Sequence, residues 1–147
     1  MKPRMMAAAA FGVLALLAGC ATGPGPQPPG PAAPAAGGLR VGGSISYLQR
    51  IALPEGSDVV VQLRDVSRAD AAAVVLAEQR FKTRSQVPLP FELLVNAARI
   101  DPRMRYAVAA RIEYGGKLLF INDKIYPVLT QGHGKRADLI LHMVARP

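Results

Sequence analysis

The side chains that could do chemistry are few: two histidines, ten carboxylates and one cysteine. His133 sits in Gly132-His133-Gly134, a loop sequence, and His142 sits between Leu141 and Met143 in an apolar stretch. A metal ion needs three or four donors at close spacing, and these two histidines lie in no such set. The acidic residues Asp58, Asp65, Asp70, Glu78, Glu92, Asp101 and Asp123 are scattered rather than paired. No serine stands in a Gly-x-Ser-x-Gly elbow, and no glycine-rich loop could cradle a phosphate. The expectation is a protein with no catalytic residues, no metal site, no cofactor and no enzymatic activity. His142 then reads as an ordinary strand residue and His133 as an exposed loop residue.

Cys20 is different because of where it stands. Lys2 and Arg4 precede an apolar run from Met5 to Ala18, broken only by Gly12. That run falls short of the roughly 20 apolar residues a transmembrane helix needs, and has the form of a signal peptide over residues 1–19. Leu17-Ala18-Gly19-Cys20 resembles the bacterial lipobox. Small residues let a peptidase close on the backbone, so cleavage is expected between Gly19 and Cys20. The thiol would take a diacylglyceryl group and the freed amine a further acyl chain such as palmitate. One chain anchors marginally, at about 0.8 kcal/mol per buried methylene, whereas two or three hold firmly. Ala21 and Thr22 follow where an aspartate would favour inner-membrane retention, so the expected location is the outer membrane, facing the periplasm. A single cysteine also excludes an intrachain disulfide.

Residues 20–38 read as an anchor and tether. Prolines at 24, 26, 28, 29, 31 and 34 among Gly and Ala can form neither helix nor core. An extended proline-rich chain rises roughly 3.1 Å per residue, so this one could span about 50 Å. The net charge of +8 falls to +6 once Lys2 and Arg4 are removed. A basic surface can be no more than a soluble one. It also suits anionic phospholipid, an anionic glycan such as lipopolysaccharide, or an acidic partner segment. Nucleic acid is not an expected partner of an exported chain without a nucleic-acid motif.

Residues 39–147 carry the fold. Val41, Ile45, Tyr47, Ile51 and Leu53 fall on odd positions, the period of a half-buried strand. Pro54-Glu55-Gly56-Ser57 turns the chain, and Val59, Val61 and Leu63 alternate in a second strand, expected to pair antiparallel with the first. Residues 67–82 are ambiguous between helix and strand, and a turn followed by a strand is favoured. Pro88 and Pro90 confine the next strand, continuing through Val95, to a sheet edge. Gly115-Gly116 marks a hairpin between Tyr106–Tyr114 and Leu118–Ile121. Asn122-Asp123-Lys124 makes another turn, with short strands at 125–130 and about 138–144 beyond it. Seven or eight short strands without a long helix predict an all-β fold, a small antiparallel β-sandwich. The charged segment Leu63 to Asp70 reads as a strand end with local ion pairs, or as a recognition edge.

Taken together, several strings carry a family likeness. Leu53-Pro54-Glu55-Gly56-Ser57, the segment Leu63 to Asp70, Val87-Pro88-Leu89-Pro90-Phe91, Phe120-Ile121-Asn122-Asp123 and Tyr126-Pro127-Val128-Leu129 resemble, in order and spacing, the YbaY/YscW-type lipoprotein family. The resemblance spans residues 41–144. It implies a β-sandwich on a lipid anchor, no catalytic residues, and a role like that of pilotin chaperones, which bring a secretin to the outer membrane. The alternative is a periplasmic binding module for an anionic glycan or lipid.

Overall fold

The structure, a computed structural model, describes residues 37–144. Gly19, Cys20 and the tether up to residue 36 lie outside the described residues. Eight strands follow one another: β1 (Gly38–Tyr47), β2 (Asp58–Asp65), β3 (Val74–Lys82), β4 (Leu89–Asn96), β5 (Tyr106–Tyr114), β6 (Lys117–Ile121), β7 (Tyr126–Val128) and β8 (Arg136–Met143). One 3-10 turn, Ala97–Arg99, follows β4, its Ala98 amide capped by the Asn96 side chain. The all-β expectation holds, and residues 67–82 resolve as a turn followed by a strand. The strand order is β3-β2-β5-β6-β8-β1-β4, with β7 pairing the part of β5 that β6 leaves free. The sheet curls so that β3 and β4, its two ends, lie side by side and the barrel is nearly closed.

Alternation in the sequence makes this shape. In β4, Leu89, Phe91, Leu93 and Val95 point inward while Pro90, Glu92, Leu94 and Asn96 point outward. In β8, Ala137, Leu139 and Leu141 take the inner face. Every strand sends residues into one apolar core, where the Tyr47 and Phe120 rings stack with centroids 4.3 Å apart. β2 is buried on both faces, its polar Gln62 held by Glu78 and Arg64.

Two features differ from the sequence reading. β1 and β2 do not pair: β1 lies between β4 and β8, and β2 between β3 and β5. Residues 48–57 form a long connection, in which the Gln86 amide holds both the N–H and the carbonyl of Leu53, at 2.7 and 3.1 Å. Leu53 is therefore buried as a strand residue would be, without lying on a strand. The second difference is that β1 runs parallel to β8. A parallel pair needs a long crossover, and here the crossover comprises all the strands between them.

Strand directions fix two ends. β1, β3, β5 and β8 start, and β2, β4 and β7 finish, at the end where the chain enters through Gly37.

Candidate functional site

A cleft of ≈ 530 Å³ opens at the Gly37 end. Three elements shape it: the loop from Val66 to Ala73, the start of β5, and β7 with its flanks. The loop is held by its own side chains. One oxygen of the Asp65 carboxylate accepts from the Ser67 amide at 2.9 Å and from its hydroxyl at 2.5 Å. The Ser67 hydroxyl in turn accepts from the Arg105 amide at 2.8 Å. The Arg105 guanidinium donates to the Ser67 carbonyl at 3.1 Å, and the Val66 amide donates to the Arg105 carbonyl at 2.9 Å. The expected strand end is present, with a turn in which Asp65 holds Ser67, but the expected local ion pairs are not: among the described residues no salt bridge joins Arg64, Asp65, Arg68 and Asp70. The continuation of the segment, through Ala71 and Ala73, forms one wall of the cleft.

The opposite wall is a tightly wound loop. Leu129 and Gln131 take positive φ values of 74° and 55°, in the left-handed region that few residues other than glycine adopt. Leu129 donates its amide to the Gly134 carbonyl at 2.8 Å, and the buried Thr130 donates its hydroxyl to the Met104 carbonyl at 2.7 Å. These bonds hold the backbone where it would not rest by itself, and strain of this kind tends to be kept where a surface is used. Behind the cleft, the hydroxyl of buried Tyr106 accepts from the Asp101 amide at 2.9 Å.

The chemistry of the lining is simple. Alanines with Ile125 and Pro127 give an apolar surface; Arg68 and Arg105 give a basic rim, with the His133 loop beside them. No carboxylate lines it. Such a surface suits an apolar segment carrying negative charge, and the Thr130 hydroxyl in its wall is already given to the Met104 carbonyl.

Elsewhere, three carboxyls are held below their ordinary values by the groups that donate to them. The Arg103 side chain and amide, both bonded to the Asp101 carboxyl, bring it down to about 2. The Ser44 hydroxyl, then Arg136, lower Asp138, and the Gln62 amide lowers Glu78. Among the described residues no group of His, Cys, Asp and Glu could hold a metal ion.

Of the residues singled out in sequence, His142 lies on β8, its Nε2 3.3 Å from Asp123 on the turn before β7. His133 does lie in an exposed loop, and that loop forms the cleft rim. Arg105, Pro127 and Thr130 went unnoticed as site residues. Their sequence signals are those of any strand end, and only the fold brings them opposite the Val66–Ala73 loop.

Comparison with known proteins places these features in a family. The family model described as "Type III secretion system lipoprotein chaperone (YscW)" matches residues 37–141. The lipoprotein YbaY of Escherichia coli strain K12 is 40% identical over 102 residues, which are 69% of this chain and 53% of that protein. The chain thus spans about half the length of this curated relative. A solved structure, an alternative pilotin from the type II secretion system of Vibrio cholerae, superposes with a TM-score of 0.72 at 44% identity, covering 74% of this chain and 99% of that one. On a match that runs from the entry of β1 into β8, the chain belongs to the YscW family of secretion-system lipoprotein chaperones.

Proposed function

We propose that the protein is a lipid-anchored, pilotin-like chaperone of the outer membrane, with no catalytic step of its own. Cleavage before Cys20 and acylation of its thiol and amine hold it to the bilayer, facing the periplasm. The residues between Cys20 and the start of β1 act as the tether, and the β domain binds a secretin subunit. The observation that carries this reading is the likeness of the β domain to the Vibrio cholerae pilotin over 99% of that chain. The cleft supports it, because an apolar surface with a basic rim suits a short amphipathic segment of a partner.

The cleft makes the proposal testable at one position. A photo-crosslinking residue in place of Ala71, in the lipidated protein in its own envelope, is expected to capture the secretin, identified by mass spectrometry. A secretin crosslinked as strongly from Glu55, at the opposite end, would remove the cleft from the account. No secretin captured from either position would remove the pilotin reading itself.

A further inference from the structure

We propose that an apolar rim at the end of the barrel away from Gly37 inserts its side chains into the interface of the bilayer that holds the anchor, so that the cleft faces away from the membrane. The proposal rests on the lipid-anchor reading, with Cys20 as the acylated residue.

Four neighbouring strands, in the order β5-β6-β8-β1, each leave a large apolar side chain exposed at this end. Tyr114 is the last residue of β5, Leu118 the second of β6 and Met143 the last of β8. Leu48, just after β1, is the most exposed large apolar side chain of the described domain at 74%, and Ile51 follows it at 50%. Because the strands are adjacent, these side chains form one continuous arc. The Gly37 ends of the strands look different: β1 begins on Arg40, β8 on Arg136, and β2 finishes on Arg64 and Asp65, so charge interrupts the exposed apolar groups there.

The arc is firmly held. The Tyr47 ring stacks on Phe120 in the core, and its hydroxyl donates to the Ile51 carbonyl at 2.9 Å. That bond closes the chain over Leu48, Gln49 and Arg50, presenting Leu48 and Arg50 to solvent.

Charge within the arc fits one kind of partner. Arg50 and Lys117 are exposed and have no hydrogen-bond or ion-pair partner among the described residues. The one carboxylate in the segments 47–51, 113–118 and 141–144 is Glu113, and Arg111 holds it at 2.6 Å. Apolar tips interleaved with free cations match the boundary between acyl chains and anionic headgroups, where a tyrosine ring is also at home. These side chains stand on a loop, a hairpin and a strand end. Such tips enter lipid as they are, whereas a partner helix needs a groove to receive it.

The tether is long enough for this orientation. β1 has ten residues and so rises about 33 Å from the Gly37 end toward the rim. Sixteen residues lie between Cys20 and Gly37, and an extended proline-rich chain of that length spans about 50 Å. Cys20 therefore reaches the bilayer on which the rim rests. Tethering also keeps the domain at millimolar effective concentration over the membrane, so a weak rim affinity seats a large share of it. Arg68, Ala71 and Arg105 at the cleft stay free for the partner.

The test uses the full lipidated protein, reconstituted in vesicles of phosphatidylethanolamine with phosphatidylglycerol. Cys20 is the single cysteine of the sequence, so once acylated it leaves an introduced thiol as the one site for a dye. Ala52→Cys places the dye beside the rim and Ala72→Cys at the Gly37 end, both at exposed positions. Energy transfer to a headgroup acceptor is expected to be strong from position 52 and weak from position 72. Leu48→Ser with Ile51→Ser should lower the ratio of seated to free domain on the order of a hundredfold. Arg50→Ala with Lys117→Ala should lower it on the order of twentyfold at low salt and little at high salt. Val74→Ser with Leu94→Ser removes exposed apolar surface away from the rim and should change it little. Transfer from position 72 equal to that from 52, or equal effects of the two apolar double variants, overturns the rim contact while the anchor stands. Protein that does not float with the vesicles overturns the anchor, and the rim contact with it.

Discussion

Gly43 sits on β1 opposite Ala137 of its parallel neighbour β8. A Cβ placed there would stand 1.7 Å from the Ala137 carbonyl oxygen, a contact no side chain can make. Backbone must move to admit even a methyl group. Gly43→Ala is therefore expected to destabilise the domain by about 3 kcal/mol, read as a lower urea midpoint at unchanged slope. Charge acts at the same scale in a different way. Asp101, drawn to about 2 by Arg103, has a folded pKa below its unfolded value near 3.8. Its contribution to stability is present above that unfolded value and is lost as pH falls through 2. Asp138, lowered chiefly by the Ser44 hydroxyl across the β1–β8 pair, adds to the same acid window. Thermal unfolding followed from neutral pH down to about 2 should show a shallower acid decline for Asp101→Asn than for the natural chain. An identical decline would place the acid sensitivity elsewhere. Neither Gly43 nor Asp101 announces this in the sequence. The glycine looks like any strand interruption, and the nearest signal for the carboxylate is its arginine two residues on.

β7 is the element whose place in the sheet most depends on single side chains. It has three residues, one of them Pro127, which cannot donate to a ladder. The chain reaches it from β6 through Asn122, whose side-chain oxygen accepts the Ala110 amide of β5 at 2.7 Å where neither strand is paired to it. Toward β8, the Tyr126 hydroxyl takes the place of a ladder: it accepts from the Ile140 amide at 2.9 Å and donates to the Ile140 carbonyl at 3.2 Å. Tyr126→Phe leaves both backbone groups without that partner, at an expected cost of about 1–2 kcal/mol. Hydrogen exchange should show it as loss of protection at Ile140 ahead of the β1–β4 pair. The strands themselves were legible because alternation and turn residues are local: β4 with its prolines at the edge, β5 and β6 about Gly115-Gly116, β3 after its turn. Pairing was less legible. Leu53 keeps the strand period yet is buried by the Gln86 amide, a contact thirty-three positions away that period-two reasoning does not register. The β1–β8 pair joins the first strand to the last, which no local pattern specifies.

At the scale of the whole molecule, placement and surface act together. The end through which the chain enters also carries the cleft. This convergence comes from strand directions, and the sequence holds it only as scattered residues: Arg68 in a charged run, Arg105 before a strand, His133 between glycines. Cys20 and its tether stand as expectations of the sequence, from a lipobox-like string and a proline-rich stretch that are read by length and residue type alone, and they lie outside the described residues. The central claim is that this anchored domain brings a secretin to the outer membrane. It is tested most directly by separating inner and outer membranes and locating the secretin multimers in three strains: with the protein, without it, and with Cys20→Ser. The expected result is outer-membrane multimers in the first strain and multimers stranded in the inner membrane in the other two. Multimers found equally in the outer membrane of all three strains would contradict it.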